Sequence, residues 1–565
     1  MSGIVASMRV LEPFLRRTSI AYFSMEIALD DDMHTFSGGL GVLAGDTARS
    51  AADLNLPMVF VSLVSRQGYV CQTFDEHGAQ VSSPDPWTPE KWAVALPAMV
   101  SVDIEGRQVW IRPWLYEVSG ASGRVPVLLL DTDVDQNQAE DRDITDRLYG
   151  GDATYRLKQE VVLGIGGEHA LRALGFHIRT YHLNEGHAAL LPLKLLEDTA
   201  REDRIATAYD EASVRDRCVF TTHTPIETAF DKFDYATVQR LLGDFVDVDS
   251  LQRLAGTDAL NMTRLALNLS GYVNGVAERH AETASRIFPG FRIRSITNGV
   301  HLDTWTHPRL AELYSRHMPH WLHEPEVLSF ATQIPDEELW TAHQEAKLEL
   351  LATVKRKAGC ELDPTRPLIG FARRMTGYKR PDLLFGDLDR LHELAREFRF
   401  QVVLAGIAHP ADLPGIQLVK DLHRYIDALA PDVSIVFLPG YNMALAKQLV
   451  AGSDVWLNTP QPPYEASGTS GMKAAVNGVL NLSILDGWWV EGCVEGVTGW
   501  GMESHEASDG DALLTKLRQT VLPLYADQRE EWIFMMKQSI SKLGPLFNSQ
   551  RMIRRYASEA YLAGS

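Results

Sequence analysis

Cysteine is scarce in this chain of 565 residues: Cys71, Cys218, Cys360 and Cys493 lie far apart and form no CxxC pair. That excludes a disulfide-stapled scaffold and a cysteine zinc site, and it fits a reducing compartment. Long apolar runs are missing as well. No stretch approaches the roughly 18 apolar residues of a membrane span. The opening MSGIVASMRVLEPFLRR carries arginines after its apolar stretch and no small-residue cleavage pattern. The expectation is a soluble, cytoplasmic protein with no membrane partner. Basic residues are outnumbered 54 to 74, giving a formal charge of -20 and a pI near 5.4. A broad nucleic-acid or anionic-lipid surface needs a net basic face, so those function classes are excluded. Any anion must be caught by a local cluster. HExxH spacing, a GxxxxGK[ST] loop, a GxGxxG turn after a clean strand, internal repeats and low-complexity segments are also absent. Neither a metal site nor a nucleotide site is expected.

What is present is an α/β rhythm, in a chain long enough for two to four domains. In the second half LIGFA (368–372), QVVLAG (401–406), VSIVFLPG (433–440), DVWLN (454–458) and VLNLSIL (479–485) alternate with helix-length segments. That order predicts right-handed βαβ units and a parallel sheet. In the first half IAYFSMEIAL, LPMVFVSLV, PVLLLDTD, IRTYHLN and DRCVFTTHT read as strands, and Ser101 to Leu115 reads as a hairpin turning near Glu105 and Gly106. A seam falls at Thr297 to Leu310, before a long helix over Asp336 to Ala358. The picture is two Rossmann-like domains with parallel sheets facing across a deep cleft, with chemistry at the carboxyl ends of the strands.

Four stretches place polar chemistry there. YEASGTSGMKAAVNGVLNLSILDG, Tyr464 to Gly487, joins Glu465 to small residues whose backbone N–H groups nothing covers, then to Lys473 in what reads as the first turn of a helix from Met472 to Val479. Such an entrance attracts anions, and a lysine is electrostatically disfavoured in it. FSGGLGVLAGD, Phe36 to Asp46, runs through Gly38, Gly39 and Gly41 into a helix from about Leu43; glycines there suit a close-lying ligand or a plain turn. FARRMTGYKRPD packs Arg373, Arg374, Lys379 and Arg380 behind a strand, a pattern suited to phosphate oxygens or to a solvated basic loop. HLNEGHAAL and FTTHTP end strands with His187 and His223, and single histidines of this kind are more often structural. Glu185 and Glu465 leave open the acid and base of a hydrolase.

In chain order YFSMEIAL with SGGLGVLAGD, LNEGH, TTHTP, TNGVxxxxW, RRMTGYKR, AGxAHP and EASGTSGMKAAVNG ending in LDG make the sequence resemble the α-glucan (glycogen, starch and maltodextrin) phosphorylases, especially their short bacterial form. The resemblance covers nearly the whole chain. It implies a glycosyltransferase of the two-domain GT-B architecture, with 1–305 as the glucan-binding domain, 306–535 as the cofactor domain, and 536–565 as a helical segment packing back on the first. It implies pyridoxal 5′-phosphate as a Schiff base on Lys473, whose 5′-phosphate relays a proton to inorganic phosphate during retaining, reversible phosphorolysis of an α-1,4-glucan or maltodextrin to α-D-glucose 1-phosphate.

Carried over residue by residue, Arg374 and Lys379 would grip the substrate phosphate and Arg373 the cofactor phosphate. Thr469, Ser470, Tyr441 and Gly39 would seat the cofactor. Glu465, Ser467, Gly468, Asn298, His223, His187 and Tyr378 would hold sugar, with Gly38 and Gly39 closing over it. Three positions depart from the family pattern: Arg373 stands where many relatives have lysine, Ser470–Gly471 where the long enzymes have Gly–Asn, and Ile407 where a lysine is usual. Phosphorylation control and nucleotide allostery are not carried over. The family also admits a homodimer. The rival readings are a nucleotide-sugar-dependent glucan synthase and a catalytically altered glucan-binding relative. The synthase would want a glutamate eight positions after Glu465, where Lys473 stands.

Overall fold

Strands buried on both faces read as continuous apolar runs, which is what a parallel sheet between helical layers requires. Ile20–Ser24, Met58–Leu63, Leu368–Ala372, Gln401–Ala405 and Leu480–Ile484 are buried along their whole length. The computed structural model describes residues 10–202, 209–243, 245–430, 432–505 and 508–562. Residues 1–9, part of the segment read above as lacking a secretory leader, lie outside it. No helix among the described residues is long and apolar enough to cross a membrane.

The first sheet runs from Arg294–Ser295 through Tyr272–Gly275, Cys218–Thr221, Thr180–Asn184, Ile20–Ser24 and Met58–Leu63 to Arg124–Asp131, every neighbouring pair parallel. The antiparallel strand Arg107–Ser119 extends it, pairing with Val100–Ile104 as the expected hairpin turning at Glu105 and Gly106. The second sheet, wholly parallel, runs Ser434–Leu438, Gln401–Ala405, Leu368–Ala372, Val455–Asn458, Leu480–Ile484 and Gly499–Met502. Counting its strands along the chain gives the order 3-2-1-4-5-6. In each half the order reverses beside the first strand, and such reversals open a crevice at the carboxyl ends. The strands Tyr272–Gly275 and Gly499–Met502 escaped the sequence reading, since glycine and asparagine dilute their apolar pattern.

Two helix boundaries differ from expectation. The helix after the glycine-rich turn starts at Gly39, not near Leu43, and ends at Asp53. It begins early because Glu26 Oε2 accepts the Ser37 and Gly38 N–H groups at 2.6 and 3.2 Å and fixes the entry. Gly45 lets this helix approach its neighbour: a Cβ there would lie 1.9 Å from the Ala28 carbonyl oxygen. The helix carrying Lys473 is Thr469–Ala475, shorter and earlier than Met472–Val479. Gly478, at φ 75°, and a bond from Val479 N–H to Ala474 O turn the chain into the next strand. Lys473 therefore occupies the last turn, where the dipole favours a cation rather than opposing it.

The long helix does span Asp336–Ala358, with acidic residues in its first turn, basic residues in its last and a left-handed Gly359 after it. It is pinned beneath the second sheet by Asp454, which is fully buried. That carboxylate takes His343 at 2.9 Å, Lys347 at 2.7 Å and the Leu368 N–H at 2.7 Å. Two further contacts join the halves. The Cys71–Phe74 and Gln80–Ser83 hairpin reaches the second half, where Gln72 Nε2 donates to Gly406 O and Gln80 Nε2 to Ala408 O, both at 2.8 Å. At the chain's end the helix Arg529–Leu543 spans residue 535 and packs on the second sheet. The return to the first sheet starts beyond it: Ser549 Oγ meets Ser50 Oγ at 2.6 Å, and Tyr561 Oη meets His182 Nδ1 at 2.6 Å.

Removing Asp454 leaves the buried Lys347 ammonium without its counter-ion, though still bonded to Arg366 O and Tyr525, and the buried Leu368 N–H without an acceptor. Asp454→Ala is expected to lower the unfolding free energy by about 3–5 kcal/mol, read as a fall in the urea midpoint; an unchanged midpoint would contradict this account of the helix–sheet junction.

Candidate functional site

At the second reversal the strand Leu368–Ala372 delivers Arg373 and Arg374, and Val455–Asn458 delivers the loop to Glu465. Arg380 joins the two loops. Its guanidinium donates to Thr459 O at 3.0 Å, Pro460 O at 2.7 Å and Asp509 at 2.7 Å, and its carbonyl accepts from Thr459 Oγ1 at 2.8 Å. Of the four cations in FARRMTGYKR, this one is structural. The other three face the cleft.

Glu465 lies among them. Lys379 Nζ is 2.8 Å from both of its oxygens, Arg373 pairs with one of them, and its own N–H donates to Asp486 at 2.8 Å. Burial by itself would raise the Glu465 pKa, but the two cations prevail and hold it down to about 2. Burial, with the Glu465 charge nearby, pushes the Asp486 carboxyl up to about 6. Arg373 keeps Nη1 buried without a hydrogen-bond partner, as Ser467 does its hydroxyl. Burial drives the Tyr441 phenol up to about 12, against the pull of Arg373. Arg374 has no ion-pair partner among the described residues; Tyr69, Tyr378, Glu26 and Tyr149 surround it, and a Cβ on Gly38 would lie 3.5 Å from its Nη2. Gly38 of the first half and Arg374 of the second thus meet across the cleft. A Cβ on the next residue, Gly39, would meet nothing within 4 Å.

Lys473 is buried, with Nζ 3.7 Å from the centroid of the Trp305 ring and its carbonyl accepting from Asn477 at 2.8 Å. Burial lowers its pKa to about 8, opposed by the Asp46 carboxylate. Gly468 precedes the helix at φ 89°, with Glu465 and Trp488 within 3.4 Å of where a Cβ would stand. Thr469 opens the helix, and Ser470 Oγ accepts from the indole of Trp456 at 3.1 Å, leaving its own proton available. Trp305 and Asp46 had no role in the sequence reading. Both lie within quoted motifs, but only the fold brings the helix Gly39–Asp53, the seam and Lys473 together.

The first half presents a different wall. His223 Nε2 donates to Asn184 Oδ1 at 2.6 Å, its N–H donates to Glu185 at 2.7 Å, and burial holds its pKa well below the usual imidazole value. His187 lies 3.5 Å from Asp231, has Nδ1 buried without a partner, and is pushed down to about 4 by burial. Asn298 Oδ1 is likewise buried without a partner. Its neighbour Thr297 donates to Glu491 of the second half at 2.7 Å. Glu185 accepts from His223 N–H, Gly186 N–H and Thr224, all within its own half. Both carboxylates are thus held by donors of their own halves, Glu185 raised by burial and Glu465 lowered by its cations. Tyr378 lies against Lys379, its ring centroid 4.6 Å from Nζ.

The sequence model of a family described as carbohydrate phosphorylase matches residues 244–499. The chain is 37% identical to the maltodextrin phosphorylase of Thermococcus litoralis, across 96% of its own length and 70% of that protein. It is 34% identical to the glycogen phosphorylases of Aquifex aeolicus and Mycobacterium tuberculosis, again across 96% of its length, covering 86% and 71% of theirs.

The depressed Glu465 pKa implies a stabilising contribution that is whole above the ordinary value near 4.5 and is lost as pH falls through about 2. Glu465→Gln should therefore show a shallower acid loss of melting temperature between those values than the native chain. With Arg373 and Lys379 released, the variant should also bind inorganic phosphate about tenfold more tightly in calorimetric titration. Equal or weaker binding would place those cations outside any phosphate site.

Proposed function

Because the chain belongs to the carbohydrate phosphorylase family, we propose that it is an α-glucan phosphorylase, a glycosyltransferase that uses inorganic phosphate to cleave α-1,4-glucans or maltodextrins. The reaction is reversible, acts at the non-reducing end and releases α-D-glucose 1-phosphate with retained configuration. The observation that carries this reading is the gathering of Arg373, Arg374 and Lys379 in one cleft with a buried lysine amine. In this reading 1–305 binds glucan, 306–535 holds phosphate and cofactor, and the part of 536–565 beyond Leu543 braces the first domain.

An amine drawn down to about 8 and a guanidinium nitrogen without a partner fit an aromatic aldehyde bearing a phosphate. Pyridoxal phosphate answers that description. Lys473 would carry it, with Arg373, Thr469, Ser470, Tyr441 and Gly39 around it. When bound, its phosphate supplies a proton relay to the substrate phosphate. Arg374, without an ion pair among the described residues, is available to hold the substrate phosphate. Lys379 must be shared between that anion and Glu465, which lets Glu465 turn toward a sugar hydroxyl as phosphate enters. Neutral His223 offers Nδ1 to a hydroxyl proton. With His187, Asn298, Ser467, Tyr378 and the backbone of Gly38 and Gly468, it suits an uncharged hexose.

Incubation with maltodextrin and phosphate should yield α-glucose 1-phosphate, and borohydride reduction should fix the cofactor on Lys473. Phosphate-independent glucose release, a β-linked product or incorporation from a nucleotide sugar would each overturn the reading. Arg374→Ala should cost on the order of 2–5 kcal/mol in kcat/KM for phosphate with cofactor retained; an unchanged phosphate dependence would remove Arg374 from the site.

A further inference from the structure

Lys473 Nζ rests on the face of Trp305, and one bond orients that ring: the indole N–H donates to Asp46 Oδ2 at 2.8 Å. The same oxygen accepts the His301 N–H at 3.2 Å. Asp46 is 1% exposed, so its charge is almost wholly removed from water. Its other oxygen, Oδ1, is buried with no hydrogen-bond donor; Arg49 Nη1, one turn along the helix, pairs with it only at 3.6 Å. Arg49 Nη1 is itself buried without a hydrogen-bond partner, so the two groups meet only as a long ion pair and the Asp46 charge stays incompletely matched in the interior.

We propose that Asp46 is the positioning carboxylate of Lys473: its Oδ2 fixes the indole face on which the amine lies, and its buried charge, outside ion-pair distance of Nζ, acts on the amine through space. The inference deepens the phosphorylase reading and rests on it for the use of Lys473 as the cofactor amine. Three neighbouring ionisable groups flank the pair. Arg49 lies on the same helix as Asp46. From the seam, His301 is committed to Asp53 at 2.8 Å and His307 to Glu349 at 3.1 Å. Among the described residues Asp46 is the charged group that acts appreciably on the amine, and it opposes the effect of burial. Without it, Lys473 deprotonates more readily and loses its orienting partner.

The test follows Lys473 itself. The full chain, freed of bound aldehyde with hydroxylamine and checked for native circular dichroism, is labelled with trace acetic anhydride from pH 6 to 10. The modification is quantified on the peptide containing Lys473. The native chain should titrate near pH 8. Asp46→Asn keeps an acceptor for Trp305 and should move the midpoint down by about one pH unit, while Asp46→Glu should restore it. Arg49→Met frees Oδ1 from its competing cation and should move the midpoint up. A natively folded Asp46→Asn chain with an unchanged midpoint would reduce Asp46 to a structural tie. Should that variant not fold, an unmoved midpoint in Arg49→Met would overturn the proposal equally. Loss of phosphorolysis from the native chain with these shifts intact would sink the proposed reaction and leave Asp46 assigned; intact phosphorolysis with no shift would do the reverse.

Discussion

Three cations gathered at the end of one strand repel one another, and a buried carboxylate among them is what makes the arrangement stable. At an effective dielectric of about 20, two like charges 5 Å apart cost about 3 kcal/mol. Glu465 offsets that by pairing with Arg373 and Lys379 at once, and Arg380 is removed from the contest by its bonds to Thr459, Pro460 and Asp509. Arg373 and Lys379 are thereby held beside Glu465, and an arriving anion would have to compete with that carboxylate for them.

Everything else in the fold serves to hold this group opposite its counterpart. Two parallel sheets, each reversing beside its first strand, aim their carboxyl ends at a common crevice. Sequence-distant ties then set the spacing: the Gln72 and Gln80 amides on the loop after Gln401–Ala405, Trp305 on Asp46, Thr297 on Glu491. Each is a buried or half-buried polar contact whose partners lose water on forming it, so a missing partner would leave an unmet group in the interior. That penalty favours one relative placement of the halves.

Much of this was legible from residue order. Apolar runs identified most strands of both sheets, Tyr272–Gly275 and Gly499–Met502 excepted, and the long helix Asp336–Ala358 was read at its observed bounds. The cationic loop, Glu465 and Lys473 stood out because such residues rarely follow a buried strand without cause. What remained hidden depends on distance in the fold. Nothing in GGLGVLAGD says that Asp46 faces Lys473, since 427 positions separate them and helix periodicity alone does not choose a neighbour. Nor does RRMTGYKR reveal that Arg380 is the structural member: that follows from its left-handed conformation at φ 45° and from carbonyls in a loop some eighty residues on. The entry of the Lys473 helix was misplaced for a local reason, because Gly468 in a left-handed conformation starts the helix before its apolar residues begin.

The two walls of the cleft divide the chemistry by charge. On the first, burial keeps His187 and His223 uncharged at neutral pH, and amides and hydroxyls make up most of the rest. On the second, the cations dominate. A neutral, hydroxyl-rich ligand can have its hydroxyl protons matched on the first wall and by Glu465 on the second, whereas a small anion is drawn to the cations. A substrate pair made of a hexose and a phosphate would therefore sort itself across the cleft, with the bond between them lying near where Gly38 meets Arg374. Lys473 sits behind that junction on the face of Trp305, a seam residue, which brings the buried amine to the boundary between the two kinds of recognition.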